Sequence, residues 1–378
     1  MQHSIKMPAV SCVAMKLKAA RIAAGLSTHA AAALVAKRFP GLRLSHASIA
    51  NYEKSAGAPG VDIIGALAMI YDRQVTWFFE PGIPLVGIRY RFLSSKTRIK
   101  ERQQFEHQAQ HWLEAYIRLE NRLADPLVPK WKKRLDISES VSAQQAAKMV
   151  RAKCQLKDSE PIHSVIEVLE AFGIRTMEMP TELAIDGFAA RLGDESVVIL
   201  NPSSANDRCR LNAGHELGHV LFGDCDSGQP TTKEMDNRAF EFASYLLIPP
   251  SQLREAFKGR SAVKLVQAKE KYGISMAAMI FRAEKQGVID AQTTKKLWIQ
   301  FSRRGWRANE PGKVRADRAI RFERLLDQAL AEKKLTWNDA SEVTGIKQAD
   351  LKRRRDLAMG ITEEEEEEGE ASVLRIQR

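Results

Sequence analysis

Over most of its length the chain carries apolar residues at the three-and-four spacing of helices, and only a few short stretches read as strands. In the N-terminal part, Lys16 to Ala24 predicts a helix stopped by Gly25, and Ser27 can cap a second helix that runs to about Phe39 and ends at Pro40-Gly41. Ser45 caps a third, through Glu53. After the Gly57 to Gly60 turn, Ile63, Ile64, Leu67, Ala68 and Ile70 mark a fourth, and Val75 to Phe79 closes the set. Five short helices in this space predict a small bundle. Val86 to Phe92 alternates briefly, and a long helix from about Ser95 to Ala124 follows, charged all round, which predicts a spacer. Helices at Ala143 to Lys153 and Ile162 to Phe172 precede a strand, Gly173 to Met177. Asp186 to Leu192 and Ser196 to Leu200 then read as a hairpin about Gly193-Asp194. More helices follow to about residue 358, the last pair being Trp337 to Ile346 and Lys347 to Arg355. The predicted class is mainly α with a small β-sheet, α+β.

One helix carries chemistry. In Asn212 to Phe222 the order His215-Glu216-Leu217-Gly218-His219 sets two histidines four apart. Residues four apart lie one turn apart on one helix face, so both imidazoles can grip one metal ion. Glu216 beside them is placed to take a proton from water, which makes the stretch a candidate hydrolytic site. Leu211, Leu217, Val220, Leu221 and Phe222 give the helix an apolar side to bury, and unpaired buried imidazoles are costly. A catalytic zinc wants three protein ligands and one open position, and Asp224, Asp226, Glu234, Asp236 and Glu241 are all within range. Asp236 can stand on the first turn of an amphipathic helix whose Ala239, Phe240, Ala243 and Leu246 or Leu247 bury the opposite side. His107 and His111 are also four apart, but no Glu follows the first, which predicts a solvated face.

Composition and charge sharpen this outline. The 378 residues allow two or three domains, and 44% hydrophobic content supports real cores. No apolar run approaches the roughly 20 residues of a membrane helix, and no signal-peptide pattern opens the chain. Cys12, Cys154, Cys209 and Cys225 form no CxxC pair. These features predict a cytoplasmic protein without membrane contact. The net charge of +11 is uneven: residues 136 to 249 hold 10 Lys and Arg against 18 Asp and Glu, while the flanks are basic. Any nucleic-acid surface is therefore expected apart from the metal helix. Thr362 to Glu368 begins an acidic tail.

Leu17-Lys18-Ala-Ala-Arg21, Ala24-Gly-Leu-Ser27, Ser48 to Glu53 and Trp77-Phe78-Phe79 make the first 80 residues resemble the XRE (Cro/CI-type) helix-turn-helix family. The resemblance implies double-stranded DNA as a partner and Ser45 to Glu53 as recognition helix, with His46, Ala47, Ser48 and Asn51 toward base edges. Ser27, Thr28, Arg43, Ser45 and Lys54 are the accompanying contacts, chiefly to phosphate, and a homodimer on paired half-sites is expected. The loop Arg38 to Leu44 is longer than that family's tight turn.

His215-Glu-Leu-Gly-His219, followed by Ala239-Phe-Glu-Phe-Ala243 and Leu246-Leu-Ile-Pro249, resembles the ImmA/IrrE metallopeptidase family over roughly residues 140 to 310. That resemblance implies a zincin-like fold, His215, His219 and Asp236 as Zn2+ ligands, Glu216 as general base, and a protein substrate such as a repressor. Family members usually carry Glu at the third position, and Glu234 is the alternative. The expected order is a helix-turn-helix domain (12–80), a helical linker (81–135), the metallopeptidase domain (136–310), a C-terminal helical subdomain (311–360) and the tail (361–378). The reading is a DNA-binding regulator with a zinc endopeptidase, or a non-catalytic regulator whose metallopeptidase domain serves as a sensor or partner platform.

Overall fold

The computed structural model describes residues 9–79, 82–90, 99–131, 135, 137, 140–226, 230–259 and 261–360. The acidic tail and the expected Ser95 start of the long helix lie outside them. The chain divides into two compact units: residues 1–84, 98–126 and 320–378 form the first, and 85–97 with 127–319 form the second.

In the first unit α1 (Ala9–Ala23), α2 (Thr28–Arg38), α3 (His46–Glu53) and α4 (Val61–Tyr71) precede a 3-10 turn, Thr76–Phe79. Leu17, Val35, Ile49, Leu67 and Phe78 close their core. Ser27 and Ser45 accept hydrogen bonds from the amides of Ala30 and Ser48, both at 3.0 Å, so each hydroxyl satisfies a donor that its helix leaves open. Arg21 grips Glu53 through two parallel hydrogen bonds, 2.6 and 2.8 Å, and so ties α1 to α3.

α5 (Ile99–Leu123) differs from the spacer expected of it. Phe105, Ala109, Leu113, Tyr116 and Leu119 are buried along one side, and Lys16 of α1 pairs with buried Glu114 at 2.7 Å. His111 is buried too, edge-on to Trp77 at 5.6 Å, in place of the solvated face its spacing suggested. The charged residues on this helix hid a stripe of apolar ones, because Glu114 and Glu120 sit within that stripe as paired groups.

The second unit holds a four-stranded sheet in the order β1 (Leu85–Tyr90), β3 (Gly187–Leu192), β4 (Glu195–Leu200), β2 (Arg175–Glu178). β1 and β4 flank β3 antiparallel, and β2 runs parallel to β4. β1 covers one side of the β3–β4 hairpin and β2 the other, so neither side of the hairpin is left open to a substrate backbone. Two helices, α6 (Ala143–Lys153) and α7 (Val165–Ala171), lead into this sheet. Across it lies α8 (Asn206–Leu221), and α9 (Lys233–Leu247) packs on α8, with α6 behind. The unit is completed by α10 (Pro250–Phe257), α11 (Ala262–Tyr272), α12 (Met276–Lys285) and α13 (Ala291–Arg303).

The chain then returns to the first unit as α14 (Arg321–Ala331), α15 (Trp337–Thr344) and α16 (Gln348–Met359). Arg321 pairs with buried Glu120 of α5 at 2.9 Å, and Arg118 donates to the carbonyl of Val343 at 3.0 Å. Gln74 donates to Ser341, and Lys347 pairs with Asp72 at 2.6 Å, so the last helices, α5 and the N-terminal bundle form one body. The interval 81–135, expected as a linker, is instead shared out: β1 joins the second unit and α5 centres the first. Among the described residues no single helix is long and apolar enough to cross a membrane.

Candidate metal centre

The close approach of α8 and α9 follows from residue size. A Cβ added at Gly214 would stand 3.1 Å from Ala243 Cβ, and one at Gly218 would stand 3.1 Å from both Ala239 Cα and Phe242 Cδ1. Only glycines facing alanines let two helices come this near. The closeness brings Asp236, on the first turn of α9, to the histidine face of α8.

There His215 and His219 meet through their Nε2 atoms at 3.0 Å, and Asp236 Oδ1 lies 3.3 Å from His215 Nε2. One ligand atom from each residue lies within 4.8 Å of the others. Such separations suit three donors around one small ion, since bonds of about 2.0–2.2 Å at tetrahedral angles put donors about 3.3–3.6 Å apart. Asp, one methylene shorter than Glu, therefore reaches because the helix interface is thin. His215 is 2% exposed, Glu216 1% and His219 0%.

Asp224 fixes the tautomer. Its carboxylate stands 2.7 Å from His219 Nδ1, where an oxygen acceptor requires Nδ1–H as donor, so Nε2 presents a lone pair toward His215 and Asp236. Two facing ring nitrogens, one of them a committed acceptor, and a carboxylate in a dry site form a donor set that fits a divalent cation. A second layer holds Asp224 in turn. Arg89 of β1 donates to the Asp224 carbonyl through Nε at 2.7 Å and through Nη2. Gly87, at φ +62°, lets β1 pass so near the 3-10 turn Asp224–Asp226 that a Cβ would stand 1.9 Å from the Cys225 carbonyl oxygen. Sequence reading placed Asp224 among possible ligands and gave Gly87 and Arg89 no role. The Gly within an alternating stretch, which marks a bulge or close approach, was the available signal.

The other candidates fall elsewhere. Glu234 is exposed, Asp226 pairs with Arg191 at 3.3 Å, and Glu241 pairs with Lys285. Burial pushes the Cys225 thiol up to about 12 and that of Cys209 up to about 11, so both stay as neutral thiols, and neither is in the three-residue cluster. In the first unit, His46, Ala47 and Asn51 are exposed on α3, Ser48 is half-buried beside Ser45 (Oγ to Oγ 2.9 Å), and Arg43 and Lys54 are exposed at its ends. Thr28 is half-buried at the start of α2, and the hydroxyls of Ser27 and Ser45 are engaged as caps. The connection between α2 and α3 spans residues 39–45, as long as the sequence indicated.

A family model described as IrrE N-terminal-like domain (Peptidase_M78) matches residues 169–284. The matched span begins in α7, ends in α12 and holds His215, Glu216, His219, Asp224 and Asp236, while β1 and everything after α12 lie outside it. No curated protein matches the chain.

Proposed function

We propose that the second unit is a zinc-dependent endopeptidase and that the first unit binds double-stranded DNA, so that the chain is a regulator that cleaves a regulatory protein such as a repressor. The observation that carries the enzymatic half is the convergence of His215, His219 and Asp236 beside Glu216. Zn2+ held by those three would polarise the scissile carbonyl and make water a stronger acid. Glu216 takes the proton from the attacking water as the C–O bond forms and hands it to the leaving amine as the C–N bond breaks. Asp224, through Nδ1–H, keeps His219 in the tautomer that donates its Nε2 lone pair, and Arg89 keeps Asp224 in place. The DNA half is supported by the exposed residues of α3, set on a helix capped by Ser45 and locked to α1 by Arg21–Glu53.

A second reading, in which the metal domain is a sensor or partner platform without catalysis, is favoured by the near-complete burial of His215, Glu216 and His219. One experiment separates the two. Wild type, Glu216→Gln and His215→Ala are assayed for bound zinc and for cleavage of co-expressed repressors, and Asn51→Ala for retention on operator DNA. The endopeptidase reading expects Glu216→Gln to keep zinc and lose cleavage by at least about a hundredfold. Equal cellular effects of Glu216→Gln and wild type, with Asn51→Ala abolishing them, would leave the non-catalytic regulator.

A further inference from the structure

A cleft of about 650 Å3 lies along α8 on the N-terminal side of the metal ligands. Its near end is formed by Leu211 and Phe240, and each is one helical turn from a ligand: Leu211 precedes His215 on α8, and Phe240 follows Asp236 on α9. The Phe240 ring stands 6.5 Å from that of His215. The cleft therefore continues the face that carries the ligands. Ala278 of α12 and Trp306 add apolar walls.

The far wall is residues 306–314, the stretch after α13, and it is built in rather than loose. Glu310 accepts the amides of Met276 and Ala277 at 2.7 and 2.8 Å, which caps α12, and Asn206 donates to the Val314 carbonyl at 2.8 Å. Charges along the cleft divide into spent and available. Lys269 is held by Asp207 at 2.9 Å and Glu310 at 3.2 Å, and Arg208 by Asp186 at 2.8 Å. Arg307 and Lys313 are exposed at the far end, where Arg307 donates to the Ser302 hydroxyl and the backbone amide of Lys313 donates to Glu270 at 3.1 Å, while neither cationic side chain forms an ion pair among the described residues. An apolar floor next to the ligands and two cations beyond it define a shape and a polarity.

We infer that this cleft holds the substrate polypeptide on one side of the scissile bond, with a bulky apolar side chain against Leu211, Phe240, Ala278 and Trp306 and an acidic residue farther along at Arg307 and Lys313. The volume falls in the range of about 300–1,000 Å3 that binding clefts occupy, enough for a large side chain with its flanking backbone. The inference rests on the endopeptidase reading for the phrase "scissile bond", and it names the substrate class that reading leaves open. The wall 306–314 lies outside the span matched to the IrrE N-terminal-like domain.

The test uses the full chain with Glu216→Gln and fluorescein-labelled decapeptides read by anisotropy. The peptides carry Phe and Asp three residues apart, or Ser for Phe, or Lys for Asp. Binding of the Phe-Asp peptide is expected to weaken about tenfold on loss of Phe, as one buried aromatic side chain is worth that much or more. Lys313→Glu, an exposed change that takes the far end from two positive charges to none net, is expected to abolish the preference for the Asp over the Lys peptide, and Ala278→Trp is expected to block binding by filling the floor. Equal affinity for all three peptides, or a preference untouched by Lys313→Glu, overturns the inference. The enzymatic reading fails separately, if wild type holds no zinc and cleaves no protein; binding of the Phe-Asp peptide that persists in that case leaves the cleft as a peptide site without a peptidase. Cleavage of a protein by wild type that Lys313→Glu and Ala278→Trp leave unaffected defeats the cleft and spares the peptidase.

Discussion

Gly218→Ala tests whether the thin interface between α8 and α9 builds the metal centre. The added methyl would face Ala239 Cα at 3.1 Å, Phe242 Cδ1 at 3.1 Å and Ala239 Cβ at 3.2 Å. Carbon atoms rest at about 3.5–4.0 Å, so each contact is short by about 0.3–0.9 Å. Two of the three atoms belong to Ala239, which has no rotamer by which to retreat, so the helices must part by a comparable amount. Overpacking of this kind costs about 1–3 kcal/mol, and replacing Gly by Ala inside a helix returns about 1 kcal/mol. Stability should therefore fall by no more than about 2 kcal/mol, with a thermal shift of a few degrees. The metal centre is less forgiving, because ligand distances tolerate only about 0.2 Å and Asp236 is already the shortest carboxylate that reaches. Zinc affinity, measured by competition with a chelator, is expected to fall about tenfold, about 1.4 kcal/mol. Gly65→Ala on α4, where a Cβ meets nothing within 4 Å, is the control and should leave zinc affinity alone. Wild-type zinc affinity in Gly218→Ala would refute the argument that close helix approach is what lets an Asp serve.

Asp224→Asn exchanges a carboxylate that can only accept from His219 Nδ1–H for an amide whose NH2 can face Nδ1 and favour the other tautomer, and zinc affinity should drop about 10- to 100-fold by chelator competition while the circular dichroism spectrum stays unchanged. His111 is held well below the ordinary histidine range, first by burial and then by Arg73, Arg118 and Lys16 nearby. The neutral ring is thus favoured in the fold, while the unfolded chain takes up a proton near pH 6.5. Stability is full above that pH and is lost as pH falls, by up to about 1.4 kcal/mol per pH unit. His111→Phe should flatten the acid limb of denaturant-measured stability between pH 6.5 and 5. Ser45→Ala removes the cap of α3 and should cost about 1 kcal/mol in thermal melts of the full chain, alongside weaker retention on DNA.

What the sequence alone determined was mostly local. Caps such as Ser27 and Ser45, the Gly193-Asp194 turn and the four-residue spacing of His215 and His219 act within a few residues, so they can be read from neighbours along the chain. The class, mainly helical with a small sheet, followed from the same periodicities. Tertiary structure decided which distant residues meet. Asp236 rather than Glu234 joins the histidines because Gly214 and Gly218 face Ala243 and Ala239, and Asp224 serves as orienter because Arg89 and Gly87 hold its turn from more than 130 residues away. α5 is a core helix because the partners of its buried acids lie on α1 and α14. Periodicity encodes the face a segment buries, but the partner of that face is selected by shape and charge complementarity across the folded chain, and one sequence read in order does not display it.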